Sequence, residues 1–333
     1  MTDLELDIGG HELATAFNRL TPDAVFDVVE TDGRRCTGRF IILNSYENRV
    51  YSLEVDDGTH IVGKFYRPGR WSPEAIEDEH DYMFELADLE IPVATPLTLS
   101  DGYTVGEVKG IYYSLYPRVG GRSPQELSDE QVQVLGRFVA RMHNVGAAND
   151  APNRPRLTPD WYARRNVDWL IDNSAMDSQT EAVYVATVEA LLTRIEPLFE
   201  AVPMHRIHGD CHLGNLLWTP SGPTFLDFDD MLIGPAVQDV WMLLPSFDDQ
   251  GARQRDLFLK AYAEFREFNP LWLRLIEPLR ALRFIHYSTW IARRWHDPAF
   301  PRTFQYFGTV QYWQREINDL REQIARLDHA PIW

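Results

Sequence analysis

The chain has 333 residues, 44% apolar and 12% aromatic, which is long for one hydrophobic core and comfortable for two lobes. Its 32 Lys and Arg against 50 Asp and Glu give a net charge of −18, and with no dense basic run this argues against a nucleic-acid partner. The acidic balance reads as a solvated surface, with attraction of a cationic substrate as the sharper alternative.

No apolar stretch reaches the roughly 18 residues of a membrane span, and the start MTDLELDIGG lacks the basic-then-apolar order of a leader. A monomeric, cytoplasmic protein with no membrane partner is expected. The two cysteines, Cys36 and Cys211, stand in unlike contexts, against a structural disulfide. Cys211 is flanked by His208 and His212, a setting that admits a nucleophile, but a small side chain filling a tight turn is the simpler reading.

Residues 12–31 read as a short helix followed by a second one opened by Thr21-Pro22-Asp23, a capping residue with proline in the first turn. Three strand-length segments follow, Cys36 to Leu43, Arg49 to Val55 and His60 to Tyr66, separated by turns and forming an antiparallel meander. The third carries Lys64 among apolar residues, where an ammonium needs an anionic partner; an edge lysine reaching water is the alternative. Ser72 and Pro73 open a helix with an apolar stripe and an acidic face, one of whose carboxylates can pair with Lys64. Extended segments from Ile91-Pro92-Val93 to Tyr116 lead to Pro117-Arg118-Val119-Gly120-Gly121, which reads as a linker.

Beyond it the pattern is mostly helical, over roughly 128–147, 158–173, 180–200, 251–267, 270–295 and 308–327. Around Ile207, Leu216-Leu217-Trp218 and Thr224-Phe225-Leu226, short strands are expected to frame a polar stretch. The organisation is α+β: a small antiparallel β-rich N-terminal lobe over 1–116, a hinge over 117–121 and a larger, mainly helical C-terminal lobe over 122–333.

The polar stretch from His205 to Asp239 concentrates the chemistry. Asp210 in His-Gly-Asp, Asn215 five residues on and Asp227 after an apolar run supply one carboxylate to orient a hydroxyl nucleophile and two oxygen ligands for Mg²⁺ against phosphates. Asp210 and Asp227 are the catalytic carboxylates of this reading, with Asn215 and Asp227 the metal ligands. His205, His208, Asp210 and His212 offer zinc binding as a rival, yet His286, His296 and His329 downstream stand without convincing ligand spacing. His208 reads instead as a brace, and Asp239 as an acceptor for the backbone N–H groups of the catalytic turn. Asp229 and Asp230 either assist a second metal or face solvent.

The loop Asn44 to Asn48 stands where phosphates would be covered but holds no glycine, so contact would come from backbone N–H groups and from Ser45 and Asn48. In the linker, Pro117 offers a carbonyl for the adenine amine and Val119 an N–H for its ring nitrogen. Trp241, Trp272, Trp290, Trp295 and Trp313 invite an aromatic cage for a quaternary ammonium, but core packing is the better reading.

HGDCHLGN followed by FLDFDD resembles the catalytic and metal motifs of aminoglycoside-phosphotransferase-like kinases, which share the protein-kinase fold. LNSYENRVY, GKFYRPGRW, YPRVGGR and GPAVQDVWMLL resemble the bacterial stress response kinase A group within it, over almost the whole chain. The resemblance implies a bilobal protein-kinase-like fold and an ATP- and Mg²⁺-dependent enzyme acting on Ser/Thr of protein substrates. It further implies Asp210 as base, Asn215 and Asp227 as magnesium ligands, Lys64 on the phosphates, Ser45 in the ATP-covering loop and Glu79 as the partner of Lys64. A small-molecule kinase for an amino alcohol or aminoglycoside, and a catalytically silent binding scaffold, are the alternatives. No Ser, Thr or Tyr lies between Asp227 and Asp239, against a phosphoswitch there.

Overall fold

A computed structural model describes residues 16–328 except 44, 201 and 247. The first residues of the helix expected from residue 12, Asn44 of the covering loop and His329 lie outside the described residues. Two compact units divide the chain. One gathers residues up to 127 with 148–154 and 212–231; the other holds 128–147, 155–211 and the chain from 232 onward.

In the first unit, α1 (Pro22–Thr31) begins where Thr21 Oγ1 accepts the Ala24 N–H at 3.3 Å with Pro22 next in line, replacing a bond the first turn lacks. The strands β1 (Cys36–Leu43), β2 (Arg49–Val55) and β3 (His60–Phe65) form the expected meander. Helix α2 (Pro73–Asp88) is capped by Ser72, whose Oγ accepts the Ala75 N–H at 3.2 Å. Strands β4 (Gly106–Val108) and β5 (Ile111–Pro117) complete a five-stranded antiparallel sheet of order β1-β2-β3-β5-β4. Val25, Val28 and Val29 of α1 cover Leu53, Val55, Ile61, Phe65 and Leu115 in its core.

Pro117 closes β5. The Tyr66 N–H bonds the Tyr112 carbonyl and the Arg118 N–H that of His60, so the even-numbered residues of β5 serve β3. The carbonyl of Pro117 therefore points the other way, as does that of Leu115, which takes the Leu97 N–H at 2.7 Å. Past it, Gly121 lies at φ 136°, where a Cβ would stand 2.9 Å from that of Leu217. Only glycine lets this segment lie against the hairpin Leu216–Thr219/Gly222–Phe225 and bridge Arg122 to Trp218.

The second unit is helical. It comprises α3 (Asp129–Gly146), whose start carries a Ser128/Gln131 capping box, α4 (Arg165–Asp172), α5 (Ser178–Phe199), α6 (Val237–Leu243), α7 (Asp249–Tyr262), α8 (Ile276–Arg293), α9 (Ala299–Thr303) and α10 (Val310–Asp328). A two-stranded antiparallel ladder pairs Met204–Ile207 with Leu232–Pro235. Trp241 and Trp313 are buried in its core, with Trp272, Trp290 and Trp295 packed against them. Core packing accounts for Trp241 and Trp313, while Trp272, Trp290 and Trp295 are only partly buried.

Candidate active site

Within the first unit the candidate residues centre on Lys64. Pleating turns its side chain inward from β3, and burial alone would expel the charge. Three carboxylates keep it instead: Asp227 at 3.1 Å, Asp229 at 3.2 Å and Glu79 at 3.5 Å from Nζ. Burial pulls the ammonium down, but Asp227, Asp229 and Glu79 outweigh it and hold it well above its usual range. Lys64 is a paired interior lysine, not one reaching water from an edge.

Glu79 comes from α2, where it is 1% exposed. Burial, with Asp229 and Asp227 nearby, outweighs Lys64 and Arg154 and pushes its carboxyl up to about 7. The next residue, His80, is held neutral: burial, then Lys64 and Arg154, push it down to about 3. Its Nδ1 meets Thr104 Oγ1 at 2.8 Å, and its Nε2 meets the hydroxyls of Tyr66 and Tyr116, each at 3.2 Å. That network pins the turn of α2 that presents Glu79.

Asp227 follows the hairpin and adopts left-handed backbone, φ 56° and ψ 70°, a conformation aspartate tolerates better than most residues. The strand before it is tied on its other side, where the Phe225 N–H donates to the Pro92 carbonyl at 2.8 Å. The Leu226 N–H donates to the Asn215 carbonyl at 2.9 Å, which brings Asn215 beside Asp227 at the open end of the hairpin. Amide and carboxylate oxygens are the hard donors that a cation keeping water and phosphate ligands prefers.

Asp229 is not solvent-facing. It is 3% exposed and paired with Lys64 and Arg70, while Arg70 also meets Asp230 at 2.5 Å. Burial raises the Asp229 carboxyl, but Arg70, Lys64 and Arg154 bring it below its ordinary value. Arg154 hydrogen bonds the Met231 carbonyl at 2.7 Å, the Ala75 carbonyl at 3.3 Å and the Asp229 carbonyl, with its guanidinium 4.0 Å over the Trp71 ring. One arginine thus fastens α2 to the turn after Asp227. Neither Arg70 nor Arg154 was singled out from sequence. Arg70 lies in the GKFYRPGRW segment, but Arg154 sits in a coil with no periodic context to mark it.

In the covering loop, the Asn48 side chain does not face a ligand: it is 2% exposed and its Oδ1 accepts the Arg67 N–H at 3.0 Å. A buried backbone donor beyond β3 needed that acceptor, so Asn48 holds the loop in place. Ser45 Oγ accepts the Asn48 N–H at 3.1 Å, a bond that leaves its own O–H to donate.

Within the second unit, one carboxylate holds a turn. Asp239 of α6 accepts the His208 N–H at 3.0 Å and the Gly209 N–H at 2.9 Å, and meets His143 Nε2 of α3 at 3.1 Å. The sequence reading of Asp239 as an anchor matches this geometry. Burial raises its carboxyl, but the His143 hydrogen bond, the nearby His143 and His208 rings and the Gly209 N–H outweigh it and hold it below its ordinary value. Gly209 takes φ 84°, and the following Asp210 carries its Oδ1 2.9 Å from Arg283 Nη2 of α8. Arg283 was also unread in the sequence.

The histidines have other duties. His205 Nδ1 meets the Arg206 carbonyl at 2.9 Å and is driven down to about 3 by burial and by His143, and His212 Nδ1 accepts the Gly214 N–H at 2.9 Å. Among the described residues no group of three His, Cys, Asp or Glu side chains converges for a metal, so the zinc reading has no site. Cys211 is buried, and burial, then Asp239 and Asp210, push its thiol well above the usual range, unlike an activated nucleophile. Among the described residues no helix is long and apolar enough to cross a membrane.

Residues 41–276 match the phosphotransferase enzyme family. Stress response kinase A of Escherichia coli K12 is 37% identical over 320 residues, covering 96% of this chain and 97% of that protein. A protein of Salmonella typhimurium named serine/threonine protein kinase RdoA is equally similar, at 37% over the same share of each chain. Among solved structures, an amicoumacin kinase in complex with AMP-PNP, Ca²⁺ and Ami superposes with a TM-score of 0.74 at 21% identity, covering 95% of this chain and 96% of that one. A microcompartment-associated aminopropanol kinase superposes with a TM-score of 0.67 at 20% identity, covering 92% and 97%. The fold is that of the protein-kinase-like phosphotransferases, and the chain belongs to the phosphotransferase enzyme family as a homologue of the stress response kinases A.

Proposed function

We propose that the protein is an ATP- and Mg²⁺-dependent kinase that phosphorylates Ser and Thr hydroxyls of protein substrates in a bacterial stress response. The observation that carries the reading is the interior ammonium of Lys64, kept charged 3.1 Å from Asp227 and 3.5 Å from Glu79. A lysine so placed has an anionic ligand to bind and a buried acid to orient it. The names of the relatives, stress response kinase A and serine/threonine protein kinase, supply the acceptor class and the setting.

In this reading Lys64 donates to phosphate oxygens while Glu79 holds its position. Asn215 and Asp227 would hold the metal, whose chemistry there would be to neutralise charge on the phosphates. The Ser45 O–H donates to a phosphate oxygen, and Asn48 serves by fixing the loop that carries Ser45. The Pro117 carbonyl, turned away from β3, accepts from the adenine amine, and the Val119 N–H donates to the ring. Asp210 accepts the proton of the attacking hydroxyl, on a turn whose backbone Asp239 fixes.

The small-molecule alternative rests on the solved neighbours, an amicoumacin kinase and an aminopropanol kinase. Transfer from labelled ATP to a bacterial protein extract, to aminopropanol and to aminoglycosides, with phosphoamino-acid analysis of labelled protein, separates the two. Phosphoserine or phosphothreonine is the expected product. Label on small molecules alone would overturn the protein-acceptor reading, and no nucleotide binding by calorimetry would revive the scaffold.

A further inference from the structure

Asp210, the proposed base, has a cation beside it: Arg283 Nη2 lies 2.9 Å from its Oδ1, with the two side chains 38% and 20% exposed. Arg283 belongs to an accessible stripe of α8. Leu279, Leu282 and Ile285 of that helix are buried, while Arg280, Arg283, Phe284, Tyr287 and Trp290 are not. Their spacing of three and four residues puts these five on one face. The stripe starts with two arginines and ends in aromatics, where Tyr287 and Trp290 stack at 5.5 Å with Phe304 edge-on to both. Tyr287 is 45% exposed.

An acceptor with an ammonium near its hydroxyl, such as an amino alcohol or an aminocyclitol, needs carboxylates to receive that charge. Here the guanidinium already holds the carboxylate and would repel the ammonium. The net charge of −18 does not reverse this, because exposed charges more than about 8–10 Å away are largely screened by salt, whereas a contact pair is not. We propose that Arg283 is the specificity-determining residue of the acceptor site. It admits a hydroxyl flanked by neutral or acidic groups and excludes cationic acceptors. The substrate class is then a polypeptide segment with neutral or acidic residues beside its Ser or Thr and an apolar side chain seated on Tyr287 and Trp290. This rests on the protein-acceptor reading above.

The test uses the full chain, labelled ATP, serine peptides flanked by Asp, Ala or Lys, and 1-amino-2-propanol. Wild type is expected to prefer the Asp and Ala peptides. R283E should shift the ratio of kcat/KM toward the Lys peptide and the amino alcohol on the order of tenfold, chiefly through KM; R283K should keep the wild-type order. A residue that merely supported the fold would lower all acceptors together. If R283E fails to fold by thermal unfolding, R283Q carries the test with a smaller shift in the same direction. Transfer to peptides with an order unchanged in R283E and R283Q overturns this inference and leaves the protein-acceptor reading standing. Transfer to the amino alcohol alone, or to neither class, overturns both.

Discussion

Replacing Asp239 by alanine probes the turn that carries Asp210 without touching Asp210 itself. The carboxylate is fully buried and serves the N–H groups of His208 and Gly209 and the ring of His143. Its removal strands three interior donors, at about 1–3 kcal/mol for each that finds no partner. The hydrogen bond to the buried His143 ring is lost with it, so a buried network and not a single bond is broken. Because water relieves part of that loss, the expected destabilisation of the helical unit is about 4 kcal/mol. D239N keeps one acceptor oxygen and should cost about half as much. Urea unfolding followed by the emission of the buried Trp241 and Trp313 measures both, and phosphotransfer should fall at least tenfold in D239A as the Gly209 turn relaxes. The acid dependence has a definite sign. The folded-state carboxyl lies below its ordinary value, so its contribution is present above the usual aspartate range near pH 4 and is lost as pH falls through the depressed value. A D239A protein within about 1 kcal/mol of wild type would refute the bracing role.

Two further outcomes follow from the same geometry. Because burial pushes Glu79 up to about 7, the folded state holds its proton over a range where the unfolded chain has released it. Wild type should therefore lose stability relative to E79Q as pH rises from about 4.5 to 7, by up to a few kcal/mol; parallel urea-unfolding curves at pH 5 and 7.5 would contradict the assignment. Cys211→Ala should leave kcat within about twofold and cost about 1 kcal/mol for the small void, whereas a nucleophile would lose activity by orders of magnitude in a steady-state assay.

Much of the fold is legible because its signals are local. Thr21-Pro22 and Ser72-Pro73 announce helix starts that the chain uses, and the meander follows from runs of β-branched and aromatic residues broken by polar turns. Asp239 could be read because a buried turn of N–H groups demands an acceptor. The arginines could not: Arg70 meets Asp229 across 159 residues, Arg154 bonds the Asp229 carbonyl across 75, and Arg283 meets Asp210 across 73. No spacing rule reaches that far, since a long flexible side chain takes whichever partner the tertiary structure presents. Asn48 misled for a related reason. A polar residue in a loop suggests a ligand contact, but here the folded chain needed its oxygen for the Arg67 N–H.

The central claim is that Asp210 acts in phosphoryl transfer while the Lys64 cluster binds the nucleotide. Single-turnover transfer by Asp210→Ala, measured alongside calorimetric binding of Mg·ATP, tests it most directly. The account predicts a loss of transfer on the order of 10²-fold or more with nucleotide affinity kept within a few-fold. Wild-type transfer by Asp210→Ala to every acceptor that the unmodified protein phosphorylates would contradict it.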